Sequence, residues 1–193
     1  MTLDDEYKIE TIFADFAIST EFDVNIPELI QECREIQNWN LSENRSNIGG
    51  WQSKVYTESP KKNLSLLQQK VLEFSLGVLQ KEGYTIKRNR SAWWININRN
   101  ESYNVIHTHG RTDAIGIFYL QVPKNAGELE ILRNDGLTYT SLRTNRNARF
   151  SSLYTLSPEV SKFYMFPGHV WHHVKQSYMT EDRISLSYNI EFQ

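Results

Sequence analysis

The chain has 193 residues, 39% hydrophobic and 23% charged, with a formal net charge of -2. That length supports one domain with a real core and leaves little room for two. The composition is that of a soluble globular protein, and the charge balance indicates neither nucleic acid nor an anionic membrane as partner.

The N-terminus, Met1-Thr2-Leu3-Asp4-Asp5-Glu6, is acidic and lacks the charged and apolar regions of a signal peptide. Residues 9–22 are apolar-rich and β-prone. A helix is expected next: Asn25 can cap it, Glu28 follows three residues later, and Pro27 suits a first turn. Leu29, Ile30, Cys33 and Ile36 then recur at helical spacing. Cys33 is the sole cysteine, so no intrachain disulfide is possible, which fits a reducing cytoplasm. Residues 47–51, Asn-Ile-Gly-Gly-Trp, break the pattern and read as a loop.

A second helix is expected over residues 60–82, with Leu64, Leu67, Val71, Phe74 and Val78 as its apolar stripe and Gly83 at its end. No run reaches the roughly 18 apolar residues of a membrane helix. The basic cluster Lys87-Arg88-Asn89-Arg90 reads as a solvated loop before a strand. Residues 93–98, 115–122, 128–132, 163–166 and 183–192 read as strands, separated by turns such as Lys124-Asn125-Ala126-Gly127 and Asn134-Asp135-Gly136. Two helices followed by many short strands predict an α+β fold. The expected core is a double-sheet jelly roll or related barrel, with the helices packed on one outer face.

All five histidines lie in the second half: His107, His109, His169, His172 and His173. In an extended segment, residues i and i+2 face the same way, so His107 and His109 can present two imidazoles to one point. A third ligand from a distant strand completes one face of an octahedron and leaves positions open, the geometry of non-haem Fe(II) oxygenases. Zinc suits imidazole equally. On the last strand, alternation puts Arg183, Ser185, Ser187 and Asn189 on one face and Ile184, Leu186, Tyr188 and Ile190 on the other. Inside a barrel, Arg183 needs an anionic partner, and a guanidinium beside a hydroxyl suits a ligand carboxylate.

These residues carry a family resemblance. His107-Thr108-His109, Gly116-Ile117-Phe118-Tyr119-Leu120, Gly127-Glu128-Leu129, Phe166-Pro167 with His172, and Arg183-Ile184-Ser185 occur in the order found in 2-oxoglutarate/Fe(II) oxygenases. The chain most resembles the small 2OG-Fe(II) oxygenases inferred in bacteria and their phages, over residues 93–192, with weaker similarity around 47–53. The resemblance implies a double-stranded β-helix spanning 1–193 as one domain, with 1–90 as helical support and 91–193 as the jelly-roll core. It implies Fe(II) as metal and 2-oxoglutarate as co-substrate. It also implies O2 and an unidentified substrate, hydroxylation as the outcome with release of succinate and CO2, and a cytoplasmic location (the host's if phage-encoded).

By resemblance His107 is the first metal ligand and His172 the distal one. His169 and His173 are weaker candidates, His173 because it points away from His172 on an extended strand. The chain departs from the family at His109, where the wider superfamily has Asp or Glu. Either His109 is a true ligand, giving a three-histidine site, or Asp113 swings in from the loop. The third account is a vacant position, as in related halogenases. Arg183, helped by Ser185, is expected to bind the far carboxylate of 2-oxoglutarate, with Tyr119 and Asn96 or Asn98 as further contacts. Trp93, Trp94 and Trp171 are candidates for an apolar wall, and residues 137–154 for a substrate-facing loop. Two rivals stand: a three-histidine cupin dioxygenase without 2-oxoglutarate, and a non-catalytic jelly-roll binding or structural module.

Overall fold

A computed structural model describes residues 15–43, 45–133 and 153–192. The expected turn at 134–136, residues 9–14 of the β-prone stretch and residues 137–152 of the candidate loop lie outside the described residues.

The chain begins with β1 (Ile18–Glu21) and α1 (Ile26–Trp39). Asn25 caps α1 as expected, its side chain accepting from the Glu28 amide at 3.4 Å, and Leu29, Cys33 and Ile36 are buried. Residues 47–51 are more than a loop. Asn47–Ile48 form β2 and Trp51–Gln52 form β3, and the chain crosses at Gly49-Gly50 from one sheet to the other.

Helix α2 (Lys62–Lys81) starts two residues later than expected and buries Leu64, Leu67, Val71, Ser75 and Leu79. Phe74 is only partly buried against the same core, and Val78 gives its place to Leu79. No side chain of its own caps α2. Glu32 of α1 does so instead, accepting from the Leu64 amide at 2.9 Å and the Asn63 amide at 3.1 Å.

Eight further strands lie among the described residues: β4 (Asn89–Asn98), β5 (Tyr103–His107), β6 (Ala114–Gln121), β7 (Leu129–Leu132), β8 (Leu153–Leu156), β9 (Lys162–Pro167), β10 (Trp171–Val174) and β11 (Arg183–Phe192). Asn89 and Arg90 of the basic cluster belong to β4, where Arg90 meets Glu191 of β11 at 2.6 Å. The strands form two antiparallel sheets, ordered β1-β9-β6-β11-β4-β3 and β2-β5-β10-β7-β8. So the described part of the first 90 residues adds three strands as well as both helices.

Side-chain parity assigns the layers. On β4, β6 and β11 one set (Ile95, Ile97, Phe118, Leu120, Ile184, Leu186, Ile190) packs with Leu29, Leu64, Leu67 and Val71 of the helices. Each such buried aliphatic side chain contributes ~1.5–3 kcal/mol. The opposite set on β6, Ile115, Ile117 and Tyr119, packs with Leu129 and Leu156 of the smaller sheet. Both helices therefore cover the outer face of the larger sheet, as expected. The alternation in β11 also holds: the apolar set faces the helices, and Arg183, Ser185 and Ser187 line the space between the sheets. Among the described residues, no helix is long and apolar enough to cross a membrane.

Candidate metal centre

His107 ends β5 and His172 sits in β10, and the two are directly opposite in the antiparallel ladder. His109 follows in the turn after β5. That turn is tied to the β9–β10 turn: the His109 amide donates to Gly168 O, and the Gly168 amide donates to Asp113 O, both at 3.0 Å. Position 168 has room only for glycine, because an added Cβ would stand 1.9 Å from Thr112 O.

The result is a cluster in which one nitrogen from each of His107, His109 and His172 lies within 4.8 Å of the others. In each ring Nδ1 is already engaged. His107 Nδ1 meets Val105 O at 2.7 Å, His172 Nδ1 meets Val170 O at 3.0 Å, and His109 Nδ1 meets Asn189 Oδ1 at 2.6 Å. An oxygen acceptor selects the Nδ1–H tautomer and leaves the Nε2 lone pair free. Burial, aided by the neighbouring imidazoles, holds His109 down at about 4 and His172 at about 3, and lowers His107 as well. All three are neutral at neutral pH, the form that binds metal.

The other candidates fall outside the cluster. His169 is exposed beside Asp15, and His173 points to the far side of β10, where Glu130 meets it at 3.0 Å. Asp113 is exposed, and its carboxylate accepts from the Phe192 amide at 2.7 Å. Asp113→Ala is therefore expected to leave Fe(II) affinity unchanged and to cost less than about 1 kcal/mol of stability, for one exposed hydrogen bond. Metal titration beside thermal unfolding checks this. Loss of iron would make Asp113 a ligand.

One cavity joins the histidines to Arg183, Ser185, Asn96 and Tyr119. Arg183 is 3% exposed. Its Nη1 donates to Ala126 O at 3.0 Å and Gly127 O at 3.2 Å, while Nε has no partner. Gly127 adopts φ +78°, and an added Cβ there would stand 2.4 Å from Lys175 O, so this clamp requires glycine. No described carboxylate pairs with Arg183. A buried guanidinium with a free donor fits an anionic ligand, and three free imidazole nitrogens fit a divalent metal. Tyr119 is held up at about 12 by burial and stays a neutral hydrogen-bonding phenol.

Asn98 does not join this wall. It pairs with Arg183 in the ladder, but its amide lies against Gly50, and neither amide atom has a partner. Of the three tryptophans, Trp94 lines the cavity and stacks on His109, with centroids 5.6 Å apart. Trp93 packs on Tyr56 in the helix-side core, and Trp171 lies on the outer side of β10, 40% exposed.

The sequence profile of the family described as "Putative 2OG-Fe(II) oxygenase" matches residues 92–189, a little over half the chain. The chain belongs to the 2OG-Fe(II) oxygenases. The oxygenase is thus an oxidoreductase that uses Fe(II), 2-oxoglutarate and O2 and releases succinate and CO2. The family assignment favours neither the cupin reading nor the non-catalytic one. No curated protein sequence matches the oxygenase.

Its fold is shared with solved structures at low identity. A prolyl-4-hydroxylase from Pseudomonas putida aligns with TM-score 0.66 at 14% identity, covering 92% of each chain. The viral collagen prolyl hydroxylase of Paramecium bursaria Chlorella virus-1, solved as its 2OG complex, gives 0.61 at 13%, covering 90% of the oxygenase and 94% of that chain. HygX from Streptomyces hygroscopicus, solved with nickel and 2-oxoglutarate, gives 0.58 at 10%, covering 91% and 82%.

Proposed function

We propose that His107, His109 and His172 together hold the Fe(II), and that Arg183 and Ser185 grip the far carboxylate of 2-oxoglutarate. One observation carries this reading: three imidazoles with Nδ1 tied back and Nε2 free share a single cavity with a buried guanidinium that lacks a carboxylate partner. Tyr119 and Asn96 flank the co-substrate, Asn96 with its amide donated to Ser187 at 2.9 Å. The two sheets are a double-stranded β-helix, and residues 1–193 are one domain acting in the cytoplasm.

Bound together, Fe(II) and 2-oxoglutarate supply the oxidising power that puts one oxygen atom of O2 into a C–H bond of the substrate. The chain's own residues do the rest. Arg183 fixes one end of the co-substrate, and the imidazoles fix the metal at the other. Trp94, Ile115, Ile117 and Leu129 make an apolar lining that keeps water from the reacting atoms. Hydroxylation as the outcome is supported by structural neighbours that are prolyl hydroxylases, among them those of Pseudomonas putida and the Chlorella virus.

Oxygen-free equilibrium dialysis of 2-oxoglutarate against metal-free and Fe(II)-loaded protein tests the reading. Tight binding is expected only in the loaded form, because chelation to the metal adds to the grip of Arg183. Equal binding in both forms would remove the metal from co-substrate binding, and no binding in either would remove Arg183 from its role.

A further inference from the structure

Two of the three imidazoles are oriented by their own strands. His107 and His172 each donate Nδ1–H to the main-chain carbonyl two residues earlier, Val105 O and Val170 O. These acceptors belong to the backbone and accompany any strand of that shape. His109 lies past the end of β5, in the turn closed by the Thr112 amide bonding to His109 O at 3.1 Å. Its Nδ1 meets a side chain instead: Asn189 Oδ1, 2.6 Å away on β11 and 80 residues along the chain.

The distinction matters at this position. A carboxylate ligand has no tautomers and offers a lone pair in any orientation. A neutral histidine binds through Nε2 only if its proton sits on Nδ1; with the proton on Nε2 it is a donor with nothing to give the metal. A histidine at position 109 therefore needs an acceptor behind it. Asn189 is on the same face of β11 as Arg183, so one strand face serves both ends of the cavity.

We propose that Asn189 is a positioning residue that makes His109 a metal ligand, its amide oxygen holding the ring as the Nδ1–H tautomer while Trp94 fixes the ring plane by stacking. This rests on the reading of His109 as a ligand. It also accounts for how the chain manages without the usual carboxylate. An amide acceptor orients the ring without adding negative charge, so the centre keeps its full +2 for a dianionic co-substrate to neutralise.

The test uses the full chain in two measurements. In metal-free wild-type protein, ring-nitrogen NMR should find His109 as the Nδ1–H tautomer. In anaerobic Fe(II) titrations, Asn189→Leu should bind iron roughly 10–100-fold more weakly, while Asn189→Asp, which keeps an oxygen acceptor, should bind within a few-fold of wild type or more tightly. A wild-type His109 protonated on Nε2 would overturn the proposal, whether or not the leucine variant folds. So would wild-type iron affinity in Asn189→Leu, or loss in Asn189→Asp equal to that in leucine. A wild-type chain that binds no iron would defeat the metal centre itself. An iron-binding wild type with an unaffected Asn189→Leu would defeat only the role of Asn189.

Discussion

His172→Ala is expected to abolish stoichiometric Fe(II) binding. His172 is 3% exposed, its Nδ1 is tied to Val170 O, and its ring lies 4.3 Å from that of His107 and 5.2 Å from that of His109, centroid to centroid. Removing it leaves two neutral donors and no charge to replace the third. A four-ligand zinc site supplies ~10–16 kcal/mol, roughly 2.5–4 kcal/mol per ligand, so loss of one imidazole weakens binding by roughly 10²–10³. The same change opens a small cavity beside Phe166, whose ring packs edge-on against His172 at 5.1 Å. Metal content after anaerobic desalting, with thermal unfolding alongside, separates the two effects. A folded variant that keeps one iron per chain would take His172 out of the site.

Arg183→Ala is expected to act at the other end of the cavity. Truncating one side of a buried charge pair costs ~3–5 kcal/mol, so 2-oxoglutarate should bind at least about 100-fold more weakly. Fe(II) affinity should move by less than about threefold, since Arg183 touches no imidazole. The variant also strands the carbonyls of Ala126 and Gly127, which Arg183 now satisfies. That costs ~1–3 kcal/mol of stability per carbonyl left unsatisfied, and calorimetric unfolding will register it. Arg183→Lys keeps the charge but loses the planar fork, and should recover only part of the affinity. Unchanged 2-oxoglutarate affinity in Arg183→Ala would refute its role.

Much of the architecture was legible from local signals. The Asn25 cap, the α1 stripe and the strict alternation in β11 are short-range patterns, and each appears where the sequence puts it. The histidine cluster was legible for a similar reason. His107 and His109 share a face at spacing two, and the ordered motifs point to His172 as the distal partner. What local patterns do not carry depends on distant contacts. Glu32 caps α2 across the helix pair, and Asn189 reaches His109 across 80 residues. Strands β2, β3, β5 and β10 are two to five residues long, too short for an alternating pattern, and a bulge interrupts the β5–β10 pairing. The choice between His109 and Asp113 was open in sequence because both lie in one turn. The proposed site takes His109, because the Asp113 carboxylate accepts from the Phe192 amide. Asn98 alternates onto the same face as Asn96 but packs against Gly50, a close approach no periodicity reveals.

The most direct test of the three-histidine centre is an anaerobic titration of Fe(II) into metal-free protein with 2-oxoglutarate present, following the visible metal-to-ligand charge-transfer band. A band that saturates at one iron per chain, vanishes in His172→Ala and fades in Arg183→Ala is the predicted result. Iron bound without any band would mean that 2-oxoglutarate does not chelate the metal, and no iron bound would mean that the cluster of His107, His109 and His172 is not a metal centre.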